Sequence, residues 1–195
     1  MYVDKQPLST TLLPTATFKL GSGTDVIPSV IPLVSIRLSP SVDNGRPALL
    51  GQREVVNRMQ LELDSVSIMV SHDCEIQLVL NGNPFYKTYT RLPTPSLTQA
   101  IFHEKNDSIQ GGLSIYTIRA SGGVEDVNGR RSTNLTSTEL KNVATLGNSI
   151  IGGNGTYPDG PDILSICAKP LSINNVGVYR PLSVSARLSW KEAQA

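Results

Sequence analysis

The sequence has little charge, few aromatic side chains and few of the residues that bind metals. Charged residues make up 17% and aromatic residues 5% of the 195 residues, whereas about 25% of the residues in a typical soluble protein are charged. There are two histidines and two cysteines, and no C-x-x-C or H-x-x-x-H pair occurs. A structural zinc ion needs four such ligands. We therefore expect no metal, no cofactor and no catalytic residue, which argues against an enzyme.

Long apolar runs and basic clusters are missing as well. No apolar stretch approaches the roughly 20 residues that are needed to cross a bilayer, and the first residues lack the charged and apolar regions of a signal peptide. The net charge is +1, and no run of Lys or Arg is longer than the pair Arg130 and Arg131. Nucleic-acid binding requires a basic patch. We expect no membrane association, no direct sequence-specific binding of nucleic acid, and a protein that forms in the cytoplasm.

Small polar residues and turn-forming residues take the place of charge. The sequence contains 21 Ser, 15 Thr, 16 Gly and 13 Pro, a composition that favours many short strands joined by turns. Uncharged polarity of this kind suits a surface that is covered by neighbours in an assembly. It suits an ordinary β domain equally well.

Alternating apolar residues predict most of the strands. The alternation in residues 59–63 has the opposite parity to that in residues 66–70, which predicts a bulge or bend at 64–65. Asn-Gly pairs such as Asn81 and Gly82 mark corners, because both residues tolerate a positive φ. The predicted strands are 31–38, 59–63, 66–70, 74–80, 86–91, 113–119, 162–168 and 183–190.

A single helix interrupts this β pattern. Thr136 and Glu139 form a capping box, and apolar residues follow at helical spacing. We therefore predict one short helix near residues 137–146, which would cover an edge or mouth of the sheets. The fold class is all-β, with a β-sandwich or jelly-roll-like domain over residues 30–195.

Residues 1–29 are predicted to form an extended N-terminal arm. They show no sustained period of 2 or 3.6, and a free tail gains little burial to offset the entropy of ordering it. The arm nevertheless contains more apolar side chains than a solvated linker usually has. It can dock on a neighbouring subunit through these side chains, or it can wrap around its own domain. The candidate partner-binding residues are Leu8, Leu12, Leu13 and Phe18.

The histidines and cysteines give no complete site. His72 and Cys74 would share one face of a strand, but no further ligand or third catalytic group accompanies them. We interpret them as a turn residue and a core cysteine. His103 opens a charged cluster that is interpreted as a loop. Cys167, like Cys74, lies in an alternating apolar run and is predicted to be buried; a disulfide would require the strands to bring the two together.

A carbohydrate site is the one small-ligand hypothesis that the aromatic residues support. Aromatic faces and side-chain amides build such sites, and Asn83, Tyr86 and Tyr89 lie close together in a loop-strand region. They are the candidate glycan-binding residues. The alternative is that these aromatic side chains pack in the core and at its rim.

Four segments resemble virion structural proteins of contractile-tailed marine cyanophages and their relatives. They are IPLVSIRLSPSVDNG (31–45), REVVNRMQLELDSVSI (53–68), HDCEIQLVLNG (72–82) and GNSIIGGNGTYPDGPDILSICAKPL (147–171). The segment SVSARLSWKEAQA (183–195) is similar too, so the resemblance covers roughly residues 30–195.

The resemblance implies a structural part of the phage virion, in the tail, neck, baseplate or fibre attachment. Its partners would be other virion proteins and copies of itself, with assembly in the host cytoplasm and usually closed symmetry. No functional residue follows from the resemblance. The alternative function is a carbohydrate-binding adhesin or receptor-binding domain that acts through Asn83, Tyr86 and Tyr89.

Overall fold

The computed structural model describes just over half of the chain, and all of the regular structure in that part is β. The described residues are 8–12, 30–41, 57, 59–85, 87–92, 96–104, 107–121, 131–135, 145–147, 161–171 and 184–194. The strands in chain order are β1 (Leu8–Leu12), β2 (Ile31–Leu38), β3 (Met59–Val70), β4 (Cys74–Leu80), β5 (Asn83–Pro84), β6 (Thr90–Arg91), β7 (Thr98–Phe102), β8 (Ile109–Gln110), β9 (Leu113–Ala120), β10 (Arg131–Leu135), β11 (Thr145–Gly147), β12 (Ile163–Pro170) and β13 (Val184–Gln194). Over these ranges there is no helix that could cross a membrane.

The strands form two large antiparallel sheets and one small ribbon. The five-stranded sheet has the order β1-β13-β3-β10, and β11 also pairs with β3. The six-stranded sheet has the order β6-β7-β2-β12-β4-β9. The third sheet consists of β5 and β8 alone. Every pair is antiparallel, which confirms the predicted all-β class.

The two large sheets pack face to face around one hydrophobic core. A single cluster of buried side chains contains alternate residues of β3 and β13 from one sheet and of β2, β4 and β12 from the other. Trp190 of β13 is fully buried in this cluster. The architecture is therefore a β-sandwich, in which each sheet covers one apolar face of the other.

Strand β3 contains the bulge that its sequence pattern predicts. Ser65 lies opposite Ser189, whereas the next pair along the ladder is Leu63 and Trp190. Asp64 is the extra residue, so the ladder shifts between the two halves of β3. Because of this shift, Leu63 and Val66 both face the core although they differ in parity.

The six-stranded sheet is buried on both faces at its centre. Leu164, Ile166 and Ala168 of β12 belong to the core between the sheets. Ser165 lies between them in sequence, on the face that points away from the five-stranded sheet, and it is also fully buried. We call this second side the outer face of the sheet. The β5–β8 ribbon comes close to this face at Gly82, where a Cβ would lie 3.2 Å from Ile109 Cδ1 of β8 and 3.3 Å from Val79 Cγ1 of β4.

Two predicted elements require correction. Thr145 and Leu146, the last predicted helical residues, form β11 and pair with β3 opposite Glu62 and Leu61. They satisfy their backbone groups in the sheet ladder, so a helix cannot extend to them; residues 136–144 lie outside the described residues. The strand predicted at 86–91 is reduced to β6, because only Thr90 and Arg91 pair with β7.

Candidate functional site

The N-terminal segment contributes an edge strand. Residues Leu8–Leu12 pair antiparallel with Leu188–Glu192 of β13, so β1 forms one border of the five-stranded sheet. Leu8 lies opposite Glu192 and Leu12 opposite Leu188. Within the chain, this pairing matches the alternative in which the arm wraps around its own domain. Two further candidate residues, Leu13 and Phe18, lie outside the described residues.

The structure describes two of the three glycan-binding candidates, Asn83 and Tyr89. Asn83 is exposed in β5, Tyr86 lies outside the described residues, and the ring of Tyr89 stacks on Arg37. The Arg37 guanidinium carbon is 3.9 Å from the ring centroid, and Arg37 Nε donates a 3.0 Å hydrogen bond to Gln99. Burial raises the pKa of Tyr89 to about 12, although Arg37 acts in the opposite direction. The Tyr89 hydroxyl is buried, so one ring face and the polar tip are both withdrawn from solvent.

The thiols are buried and unreactive. Cys74 and Cys167 are both free and buried, which confirms the prediction for each. Burial raises the pKa of each thiol to about 12, so both remain protonated at neutral pH. His72 is half-buried and hydrogen-bonds with Ser71 over 3.1 Å. In the described part of the chain, no group of three His, Cys, Asp or Glu residues is arranged to hold a metal ion.

A hydrogen-bonded chain of polar residues crosses the outer face of the six-stranded sheet. Ser165 Oγ of β12 is 2.6 Å from Ser35 Oγ of β2, and Ser35 Oγ is 2.8 Å from His103 Nε2. His103 Nδ1 is 3.3 Å from Asp107 Oδ2, and Lys87 Nζ is 3.2 Å from the same carboxylate oxygen. We call these five residues the buried polar chain. It connects two central strands, β2 and β12, to the loop after β7 and to the segment between β5 and β6.

The carboxylate fixes the direction of every hydrogen bond in this chain. An ionised Asp can only accept hydrogen bonds. His103 Nδ1 is therefore the protonated ring nitrogen and donates a hydrogen bond to Asp107. His103 Nε2 must then accept from the Ser35 hydroxyl, and Ser35 in turn accepts from Ser165. Burial acts to raise the pKa of Asp107, but the Glu104 amide, Lys87 and His103 together hold it below its ordinary value. Each donor has an acceptor as long as His103 is neutral.

The order of Ser35, His103 and Asp107 resembles that of a hydrolytic triad, but the site is closed. Ser35 is 0% exposed, and the His103 side chain is also 0% exposed. A substrate in solution has no path to the Ser35 hydroxyl in this arrangement. The buried polar chain therefore has a structural role, because it gives hydrogen-bond partners to polar groups that would otherwise be buried without them.

A second buried polar cluster joins the two sheets at the other end of β7. Glu192 of β13 is 2% exposed. Its Oε1 accepts from the hydroxyls of Ser96 and Thr98 at 2.5 Å each, and its Oε2 accepts from the backbone amide of Leu97 at 2.9 Å. The indole of Trp190 donates to the Thr98 hydroxyl over 3.1 Å. We call this the Glu192 cluster; it fixes the position of β13 against the start of β7.

Strand β9 forms one border of the six-stranded sheet, and β6 forms the other. β9 pairs with β4 on one side, and among the described strands none pairs with its other side. Leu113 is 66% exposed, whereas Ile115, Tyr116 and Ile118 are partly buried against the core. Edge strands present unpaired backbone groups that can accept a further strand, and β9 carries a single charged residue, Arg119. In the described part of the chain, the eight-residue β9 is thus the longest border strand of the sandwich, and β1 and β10, with five residues each, border the other sheet.

Comparisons with known proteins identify no family. No family model matches the chain, and no curated protein matches it. The solved structures that align with it include the unassembled VP1 pentamers of Washington University polyomavirus (a mutant) and KI polyomavirus. The first is 14% identical over 99% of this chain and 95% of its own, with a TM-score of 0.20. The second is 12% identical over 100% and 97%, with a TM-score of 0.19.

A third aligned structure is VP1 of the trichodysplasia spinulosa-associated polyomavirus. It is 8% identical over 100% of this chain and 98% of its own, with a TM-score of 0.18. Identities and TM-scores this low carry no argument about the fold family or the function of the chain. The functional hypothesis therefore depends on the residues and on the geometry of the sheets.

Proposed function

We propose that this chain is a structural component of a tailed-phage particle. It acts by assembling with copies of itself and with other virion proteins, and not by catalysis. The resemblance over roughly residues 30–195 supports the virion role, and a β-sandwich whose sheets end in border strands is compatible with it. The closed Ser35 hydroxyl and the protonated thiols support a function without nucleophilic chemistry.

The pairing of β1 with β13 is the observation that carries the mode of assembly. β1 adds to the border of a finished strand pair, since β13 also pairs along its whole length with β3. Such an addition uses backbone hydrogen bonds, so the same ladder can form with the β13 of another copy. Residues 13–29 separate β1 from the start of the sandwich and could span on the order of 55–60 Å when extended. We propose that copies exchange β1 when they assemble.

Deletion of residues 1–29 is expected to leave the sandwich folded and to impair its assembly. β13 keeps its full ladder with β3 without β1, so the circular dichroism spectrum should retain its β signal. The border of β13 is then left unpaired, because no other copy can supply a β1 strand to it. Analytical ultracentrifugation of the deletion variant and the full chain, at matched concentrations, measures the difference.

Two outcomes contradict this expectation. If the shortened chain unfolds, β1 belongs to the core of its own domain and the exchange hypothesis is lost. If it assembles as well as the full chain, β1 takes no part in assembly, and the contacts come from other surfaces.

A disulfide across the β1–β13 ladder should distinguish pairing within one chain from pairing between chains. Thr11 lies opposite Ser189, so the double variant Thr11→Cys with Ser189→Cys places two thiols within bridging reach. In assembled protein, mild oxidation should yield chains that are linked to each other on a non-reducing gel. In dilute protein the same variant should yield mainly internally linked monomers.

The single variants Thr11→Cys and Ser189→Cys are the matched controls. The native thiols of Cys74 and Cys167 contribute little background, because burial keeps them protonated. Internal links alone, at every concentration at which the protein is assembled, would show that β1 is not exchanged.

A further inference from the structure

His103 lies where three parts of the outer face meet. Its Nε2 contacts Ser35 of β2, and Ser35 contacts Ser165 of β12. Its Nδ1 contacts Asp107, which Lys87 also contacts from the segment between β5 and β6. A buried residue that bonds to several elements at once holds them together only while its donors and acceptors match theirs.

Among the described residues, the charged groups around His103 come from two segments. Its own loop contributes Asp107, and Glu104 approaches Lys87 at 3.9 Å. The segment after β5 contributes Lys87, whereas β2 and β12 contribute only the neutral hydroxyls of Ser35 and Ser165. Asp107 is thus the only carboxylate that the described residues place against the His103 ring. Its charge is shared with Lys87, which bonds to the same oxygen.

Protonation of His103 would reverse the direction of the hydrogen bonds on the Ser35 side of the buried polar chain. Nε2 would become a donor, so Ser35 could no longer donate to it and would have to turn its proton toward Ser165. Ser165 would then lose Ser35 as its acceptor, and a buried donor without an acceptor is costly. At the same time a second positive charge would be added beside Lys87, with one carboxylate to balance both.

We propose that His103 is an acid-sensitive latch: while neutral, it ties the Asp107 loop and Lys87 to the outer face of the six-stranded sheet, and its protonation releases them. Release would give water and binding partners access to the outer face around Ser35 and Ser165. The inference does not depend on the proposed virion role.

The direction of the effect follows from the environment of the ring. Burial lowers the pKa of His103 below its ordinary value of 6.5; Asp107 acts to raise it, and Lys87 acts to lower it further. The folded chain therefore binds a proton at His103 less readily than the unfolded chain, in which histidine has its ordinary pKa of 6.5. The closed state should keep its full stability above pH 6.5 and lose it progressively as the pH falls below 6.5.

Hydrogen exchange on the full chain tests the latch. The reporters are the amides of Asp107, which bonds to Glu104 over 3.0 Å, and Phe85, which bonds to Ser108 over 3.3 Å. After correction for intrinsic rates, their protection should fall from pH 7.5 to pH 5, because the open state binds a proton at His103 more readily than the closed state. The amide of Ile163, which bonds to Asn81, should keep its protection.

The other histidine provides the matched control. His72→Gln should reproduce the loss of protection at low pH, whereas His103→Gln should remove most of its pH dependence. A loss of protection that persists in His103→Gln overturns the proposal.

If His103→Gln does not fold, NMR titration of the wild-type chain gives the answer, because only two histidine rings produce signals. The His103 ring should titrate below its ordinary pKa of 6.5, and the reporter amides should change at the same pH. Titration of His103 at its ordinary pKa without any change in these amides equally overturns the proposal.

Discussion

Replacement of Glu192 by Ala should lower the free energy of unfolding by about 3–5 kcal/mol, because the change leaves two buried hydroxyls and one partly buried amide without their acceptor. These donors are the hydroxyls of Ser96 and Thr98 and the amide of Leu97. Each belongs to the segment that leads into β7, so the join between the two sheets should loosen there as well. Reversible urea denaturation, with the midpoint and slope compared, measures the loss.

Two further variants show whether the loss comes from the carboxylate itself. Glu192→Gln retains the shape and one acceptor oxygen, so it should fall between the wild type and Glu192→Ala. Glu104→Ala removes a carboxylate that is 82% exposed and 3.9 Å from Lys87, and it should change stability little. Equal effects of Glu192→Ala and Glu104→Ala would mean that the Glu192 cluster does not join the sheets.

Gly112→Ala should cost roughly 2–5 kcal/mol, since both the backbone and the space around this glycine reject a side chain. Its φ is +90°, in the region that L-residues rarely adopt. A Cβ at this position would lie 2.7 Å from the Gly82 nitrogen and 2.7 Å from Val79 Cγ1. The β5–β8 ribbon would have to move away from β4, and the change is again measured by denaturant unfolding.

The neighbouring glycine separates the two causes. Gly111 also has a positive φ, +67°, but a Cβ there would meet nothing within 4 Å. Gly111→Ala should therefore cost only the conformational part, about 1–2 kcal/mol. If both variants lose the same stability, the close approach between the turn at Gly112 and Gly82 is not tight in solution.

The strands were predictable because a strand that is buried on one face has an apolar residue at every second position. β3 shows this most clearly, since even its bulge at Asp64 follows from the change of parity in the sequence. The end of β13 was not predictable in the same way. Lys191 and Glu192 interrupt the apolar alternation, yet the strand continues to Gln194.

The two polar clusters could not be found from the sequence, because their members are distant along the chain. Ser35 and His103 are 68 residues apart, and Ser96 and Glu192 are 96 residues apart. His103 was interpreted as part of a charged loop, since its neighbours in sequence are polar. Only the pairing of β7 with β2, which sets Ile101 opposite Ser35, places His103 over the buried outer face. A lone histidine after an apolar strand is a weak signal for such a site.

The helix prediction failed at its end for a related reason. Leu146 fits an apolar helical stripe and a strand equally well, and local spacing does not distinguish them. β3 offers an open ladder opposite Leu61, and pairing with it decides the conformation of Thr145 and Leu146. The candidate arm shows the same dependence, because β1 exists only as a partner of β13.

The position of β1 and β13 in the chain has a consequence for synthesis on the ribosome. Among the described strands, β1 emerges before all the others and its partner β13 after all the others. At about 5–20 residues per second, β1 waits on the order of ten to thirty seconds for the β13 of its own chain. All six strands of the other sheet emerge during this interval. Neighbouring ribosomes on one message would thus bring an unpaired β1 close to the finished β13 of an earlier copy.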